Sequence, residues 1–129
     1  MVRAEVLEQV QDTLQELAQL ASDGAMLVVE GRRDVESLER LGIAGRFFTL
    51  LNGGRLIESV EVLAREREVV ILVDFDRRGR ELLAFCRRHL GARGVRLNVE
   101  IWERLRSLVG RQVKDIEGLA AYLDSERKS

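Results

Sequence analysis

The chain has 129 residues, of which 46% are hydrophobic and 33% are charged, and its formal net charge is -1. These values indicate one folded domain with an ordinary core and exclude an intrinsically disordered chain. A net charge near zero also argues against the avid, sequence-independent nucleic-acid binding of a strongly basic protein. A local basic surface is still compatible with it, because residues 77–106 contain nine arginines and three glutamates.

The first segment predicts an amphipathic helix over residues 3–22. Its apolar positions recur every three or four residues: Leu7, Val10, Leu14, Leu17 and Ala21. We expect residues 1–23 to form an N-terminal helix that packs on a domain of residues 24–129. The near-heptad spacing also allows a homodimer through this helix, although packing on the sheet is the commoner arrangement.

Short apolar runs alternate with helical patterns along the rest of the chain. Four runs predict strands: 26–29, 47–51, 69–73 and 95–99. Helices are predicted after Asp34 as N-cap, after residue 54 with Ile57 on its apolar side, over 77–90, and from about Glu100 and Asp115. This order predicts an α/β, Rossmann-type fold with a four-stranded, mainly parallel sheet and right-handed crossovers.

Acidic residues follow two of these strands. Glu30 follows the first, whereas Asp74 and Asp76 follow the third and would point the same way if the strand continued through Phe75. Because parallel strands end at one edge of a sheet, the three carboxylates are expected to converge. Oxygen ligands of this kind suit Mg²⁺, or Mn²⁺, and one or two ions are compatible with three acids.

Glycines stand beside these acids and after the second strand. They are Gly31, Gly53, Gly54 and Gly79, and Asn52 precedes the middle pair. Glycine allows a sharp turn or a close approach of the backbone to a phosphate, so the glycines are compatible with a phosphate site at this edge.

Together these motifs resemble the Toprim domain of topoisomerases, bacterial-type primases, the 5S ribosomal RNA maturation nuclease and recombination-repair proteins. The resemblance rests on Glu30-Gly31 after one strand and on Asp74-x-Asp76 with Gly79 three residues later, and it covers about residues 24–100. It implies that Asp74 and Asp76 bind Mg²⁺ and that Glu30 is a general acid or base. Asp34, Asn52 and Gly53 also match positions in the motif loops, as do Gly31 and Gly79.

The resemblance implies a nucleic-acid-binding protein, with nuclease-type cleavage or transfer of phosphodiester bonds in RNA or DNA as the expected activity. A non-catalytic module that binds Mg²⁺ and nucleic acid and regulates a partner is the alternative. A self-contained topoisomerase is not expected, because the only tyrosine, Tyr122, lies among apolar residues of the last predicted helix.

Basic residues flank the acids. They are Arg32, Arg33, Arg77, Arg78, Arg80 and Lys114. The arginines are suited either to bind the phosphates of a polynucleotide or to offset the repulsion of clustered carboxylates. Lys114 is also able to reach a phosphate, but an ordinary helix start is the better interpretation.

Three remaining residues are interpreted as structural. Cys86 and Trp102 are expected in the core, although Trp102 could also stack a base, and His89 near a helix end suits the helix dipole. Apolar runs are too short to span a membrane, and acids occupy the amino terminus, so we expect a cytoplasmic protein with no membrane partner.

Overall fold

The computed structural model describes residues 3–50 and 55–128. Six helices and four strands are found in these residues. In chain order they are α1 (Arg3–Ser22), β1 (Met26–Val29), α2 (Arg32–Arg40), β2 (Arg46–Thr49), α3 (Leu56–Leu63), β3 (Glu68–Leu72), α4 (Arg77–Gly91), β4 (Arg96–Asn98), α5 (Glu100–Val109) and α6 (Leu119–Lys128).

The four strands form one parallel sheet in the order β2-β1-β3-β4. Strands β1 and β3 are central, and residues 27–29 and 69–72 are completely buried, as expected for a parallel sheet covered on both faces. The predicted α/β fold with a four-stranded parallel sheet is therefore confirmed. None of the helices in the described part of the chain is long and apolar enough to cross a membrane.

The helices pack in pairs around this sheet: α1 contacts α5, α2 contacts α6, and α3 contacts α4. The apolar side of α1 is buried at Val10, Leu14 and Leu17, and Glu16 binds Arg104 of α5 at 2.7 Å. Helix α1 therefore uses its apolar side within its own chain, and the described residues show no dimerisation through it.

Several predicted boundaries are wrong. Helix α2 begins after Gly31, and Asp34 is not its N-cap but its third residue, with Oδ2 accepting a hydrogen bond from the Gly31 N–H at 2.9 Å. Strand β3 ends at Leu72, before Asp74, so strand alternation cannot orient Asp74 and Asp76. On α3, Ile57 is exposed rather than packed.

The last helix also begins later than predicted, at Leu119 instead of Asp115. The Asp115 side chain accepts a hydrogen bond from the Gly118 N–H at 2.7 Å, which closes a turn in front of the helix. Lys114 consequently lies in the loop between α5 and α6, and the interpretation of Lys114 as a helix start is wrong.

Candidate metal and nucleic-acid site

The first two site acids meet at the carboxyl edge of the sheet. Glu30 directly follows β1, and its Oε2 accepts a hydrogen bond from the backbone N–H of Asp74, which follows β3, at 2.7 Å. Glu30 is 5% exposed. Its other oxygen accepts no hydrogen bond from the described residues and keeps contact with solvent, because no buried side-chain oxygen there lacks a partner. One oxygen thus links the two strand ends, and the other is available for chemistry.

Asp74 lies in a strongly acidic environment. Partial burial is the main cause that raises its pKa to about 7, and the negative charges of Glu30, Asp34, Asp115 and Asp76 raise it further. The pKa of Asp34 is also raised, mainly by burial. The hydrogen bond from the Gly31 N–H lowers it, and nearby carboxylates raise it further. Neighbouring negative charges thus disfavour the ionised forms of Asp74 and Asp34.

Asp76 has a structural contact of its own. It is the N-cap of α4, where its Oδ1 accepts a hydrogen bond from the Gly79 N–H at 2.8 Å. The side chain is exposed, and the second oxygen is not used by the cap. Asp76 can therefore stabilise the start of α4 and still offer an oxygen to a cation.

Gly79 is required by a close approach of the backbone. A Cβ atom added at this position would lie 1.8 Å from the Asp74 carbonyl oxygen, so no other residue fits without movement of the chain. Gly31 is different, because a Cβ atom there would meet nothing within 4 Å. The glycine at 79 brings the first turn of α4 against Asp74, which fixes the two acids of the Asp-x-Asp motif relative to each other.

Asp115, which sequence reasoning did not assign to the site, completes this edge. The Phe75 N–H donates to the Lys114 carbonyl oxygen at 2.8 Å, which holds the loop between α5 and α6 beside Asp74 and brings Asp115 near it. One sequence signal was available: Asp115-x-x-Gly118 has the same spacing as Asp76-x-x-Gly79, and both aspartates accept a hydrogen bond from the glycine N–H.

The basic residues around the acids divide into two groups. Arg33 pairs with Glu117 and Arg77 with Glu81, each at 3.3 Å. Within the described part of the chain the others form no ion pair and are exposed: Arg32, Arg78, Arg80 and Lys114. In the described part of the chain no arginine forms an ion pair with Glu30, Asp34, Asp74, Asp76 or Asp115, so no contact supports the interpretation that these arginines neutralise the acids directly. Asn52, Gly53 and Gly54 lie outside the described residues.

The residues interpreted as structural are placed as follows. Cys86 and Trp102 are buried. His89 lies in the last turn of α4 against Phe85, with ring centroids 4.3 Å apart. The Tyr122 hydroxyl donates to Glu126 at 3.0 Å on α6.

Carboxylate oxygens of this kind suit Mg²⁺, although no group of three or more His, Cys, Asp or Glu side chains among residues 3–50 and 55–128 is arranged to hold a metal ion. Mg²⁺ is commonly held by one or two carboxylates together with water and substrate phosphate, so a closed protein cage is not needed. The mutual repulsion that raises the pKa of Asp74 is also what a bound cation would relieve. Asp74 and Asp76 remain the predicted Mg²⁺ ligands, and the negative charge of Asp76 acts on Asp74.

Comparison with known proteins agrees with this architecture. The family model for the Toprim domain matches residues 24–99. The chain belongs to the Toprim family. Residues 24–99 include all four strands and both acidic motifs, as the resemblance predicted. Toprim domains typically bind Mg²⁺, and membership indicates a metal-dependent function related to nucleic acid.

Similar proteins occur in archaea. The UPF0292 protein of Methanosarcina barkeri is 39% identical over 122 residues, which are 94% of this chain and 85% of that protein. The UPF0292 protein of Methanocaldococcus jannaschii is 35% identical over 125 residues, which are 96% of this chain and 97% of that protein. Both relatives therefore match the helices outside the Toprim match as well.

A solved structure, a putative protein from Aquifex aeolicus, is similar with a TM-score of 0.67 and 22% sequence identity. The similarity covers 82% of this chain and 94% of that chain. At this identity the likeness supports the fold alone.

Proposed function

We propose that this Toprim protein is a Mg²⁺-dependent, nuclease-type enzyme that cleaves or transfers phosphodiester bonds in nucleic acid, in the cytoplasm. The observation that carries the proposal is the contact between the Asp74 N–H and Glu30, which joins the two acidic motifs at one edge of the sheet. The carboxylates there have no ion-pair partner among the described residues, which suits a site that receives its positive charge from a bound cation.

Each acid has a defined part in this proposal. Asp74 and Asp76 hold Mg²⁺ (or Mn²⁺), with Asp76 using the oxygen that does not cap α4. Glu30 takes or gives a proton through the oxygen that is not bound to the Asp74 N–H. Bound Mg²⁺ supplies charge stabilisation at the phosphodiester oxygens and lowers the pKa of a bound water.

The unpaired cations orient the substrate. Arg32, Arg78, Arg80 and Lys114 are exposed next to the acids and bind phosphate oxygens, with the arginine guanidinium groups able to donate two hydrogen bonds each. Arg33 and Arg77 exchange their surface partners Glu117 and Glu81 for phosphate at little cost, because exposed ion pairs contribute about 1 kcal/mol or less.

A second candidate function is a non-catalytic module that binds Mg²⁺ and nucleic acid and regulates a partner. The specific observation in its favour is that two of the three proposed catalytic or metal-binding acids also have a structural side-chain contact. Glu30 binds a backbone N–H, and Asp76 caps α4. Such contacts would be retained in a protein that only binds its ligands.

A cleavage assay separates the two functions. The protein is incubated with structured RNA, single-stranded DNA and duplex DNA, in Mg²⁺ or in chelator, beside Glu30→Gln, Asp74→Asn and two control variants. The controls are Glu61→Gln on α3 and Asp12→Asn on α1, which change exposed acids without an ion pair in the described structure.

We expect Mg²⁺-dependent cleavage that falls at least about 100-fold in Glu30→Gln, as for loss of a general acid or base, and that both controls retain. Binding without cleavage by the wild type would support the regulatory module. Cleavage that is equally fast in chelator would contradict both candidates.

A further inference from the structure

A groove of about 540 Å³ lies beside the acidic edge, between the residue after Asp74 and helix α5. Phe75 and Trp102 line it and are only 5% and 4% exposed. Their ring centroids are 6.0 Å apart at a tilt of 42°. Because the rings are nearly buried, they form a fixed apolar floor and are not free to stack on a base.

Hydrogen bonds attach this floor to the candidate site. The Trp102 indole N–H donates to the carbonyl oxygen of Val73 at 2.8 Å, immediately before Asp74. Phe75 lies between Asp74 and Asp76 in the chain, and its N–H binds the Lys114 carbonyl oxygen at 2.8 Å. The position of the groove relative to the acids is therefore set by contacts on both sides.

Two arginines and one glutamate, Glu103, line the groove, so its charged side chains carry one net positive charge. The Arg106 guanidinium carbon lies 5.7 Å from the centre of the Trp102 ring, in the range of a cation–π contact. Arg111, in the turn after α5, is exposed, as is Arg106, and neither forms an ion pair within the described part of the chain. Arg104 on the same helix instead binds Glu16 at 2.7 Å and holds α5 against α1. Arg106 and Arg111 are thus available to a ligand.

We propose that this groove binds the phosphodiester backbone of a nucleic-acid strand and leads it to the acidic edge. The proposal rests on the proposed function, because it specifies where the substrate of the same site lies. Arg106, oriented by the Trp102 ring, and Arg111 bind phosphate oxygens, which are anions that suit two unpaired guanidinium groups. Ser107, on the same side of α5, offers a hydroxyl to the sugar-phosphate chain.

The test compares two double variants with the same change of charge. Arg106→Gln with Arg111→Gln removes the cations of the groove. Arg65→Gln with Arg67→Gln removes two exposed arginines that have no ion pair in the described structure and line a cleft at the opposite edge of the sheet. Affinity for fluorescent single-stranded RNA and DNA is measured in Mg²⁺ from 50 to 300 mM salt, and thermal melting confirms that each variant is folded.

We expect the groove variant to bind at least about tenfold more weakly at low salt and to have a shallower dependence of affinity on salt, because about two phosphate contacts are lost. Arg106→Lys with Arg111→Lys keeps the charges and should retain most of the salt dependence. The control variant should bind as the wild type does. Measuring the affinities for RNA and DNA separately shows which of the two nucleic acids the groove binds more tightly.

Trp102 gives a second measurement, since it is the only tryptophan of the chain. Its fluorescence should change when the strand binds, and Arg111→Gln alone should weaken that response even if the double variant does not fold. Equal affinities of groove and control variants, with nucleic acid still bound, would overturn the groove while leaving the proposed function intact. No binding of any strand by the wild type would overturn the proposed function as well.

Discussion

The two edges of the parallel sheet contain the same kinds of charged residue but arrange them differently. At the amino edge, Arg46 donates to both carboxylate oxygens of Glu66, at 2.5 and 3.2 Å, and to the Gly24 carbonyl oxygen at 2.8 Å. At the carboxyl edge, none of the clustered carboxylates has an arginine or lysine partner among the described residues. They are Glu30, Asp34, Asp74, Asp76 and Asp115.

This difference favours the carboxyl edge as the candidate functional edge, whereas cavity size does not. The cleft at the amino edge has a volume of about 570 Å³, slightly larger than the groove beside the acids. Its charges are partly matched, which is the expected state of a surface that only needs to be stable. Burial and neighbouring negative charges raise the pKa of Asp74 and of Asp34, which carries a cost in stability, and perturbed pKa values of this kind are typical of functional sites.

The largest expected effect comes from the tightest contact at the carboxyl edge. Gly79→Ala would place a methyl group 1.8 Å from the Asp74 carbonyl oxygen and force α4 away from the acidic loop. We expect the free energy of unfolding, measured in urea, to fall by about 3 kcal/mol or more. The control is Gly91→Ala, at the end of the same helix, where a Cβ atom meets nothing within 4 Å.

Gly91→Ala should leave the stability unchanged or raise it by up to about 1 kcal/mol, since alanine is the better helix residue. Equal stability of the two variants would show that the backbone contact between Gly79 and Asp74 does not hold the edge together.

The second effect concerns pH. The pKa of Asp74 is about 7 in the folded protein, against an ordinary value of 3.8. The folded state therefore keeps a proton that the unfolded state has released, so the stability of the metal-free protein should fall as pH rises from about 4 to about 7 and then level off. The raised pKa of Asp34 acts in the same direction.

Asp74→Asn removes the largest of these contributions. Urea unfolding in chelator at pH 4 to 8 should show that the variant gains stability relative to the wild type as the pH rises. Asp12→Asn, on the exposed side of α1, should follow the wild type throughout. Parallel pH curves for Asp74→Asn and the wild type would mean that Asp74 ionises normally and that the acids do not interact.

The smallest effect is expected at the amino edge. Glu66→Gln weakens the pair with Arg46, whose side chain is 53% exposed, and should lower the stability in urea unfolding only slightly, because solvent screens exposed ion pairs. Binding of Mg²⁺ and of nucleic acid should be unchanged, because no proposed ligand lies there. Weaker binding of Mg²⁺ or of nucleic acid by this variant would contradict the assignment of the ligand site to the carboxyl edge alone.

Much of the carboxyl edge was predictable from the sequence for a simple reason. The ends of parallel strands lie together, so apolar runs followed by Glu30 and by Asp74 were sufficient to predict that these acids meet. The buried strands β1 and β3 were equally clear, because completely buried parallel strands are nearly continuous apolar runs.

Other features depend on contacts that no local pattern contains. Asp115 joins the acids because the Phe75 N–H binds the Lys114 carbonyl oxygen, a backbone contact between distant segments. The helix pattern after residue 115 concealed the turn that Asp115 closes with Gly118. Side-chain contacts across the fold decide which arginines form an ion pair. Arg104 binds Glu16, whereas Arg106 on the same helix forms no ion pair within the described residues and lies over the Trp102 ring.

Calorimetric titration of Mg²⁺ into the wild type, Asp74→Asn and Asp12→Asn at pH 8 tests the central claim most directly. Above a pKa of about 7 the Asp74 carboxylate is ionised and ready to bind the cation. We predict that the wild type and Asp12→Asn bind Mg²⁺ with equal affinity and that Asp74→Asn binds at least about tenfold more weakly. Equal affinity of Asp74→Asn and the wild type would contradict a metal site at this edge of the sheet.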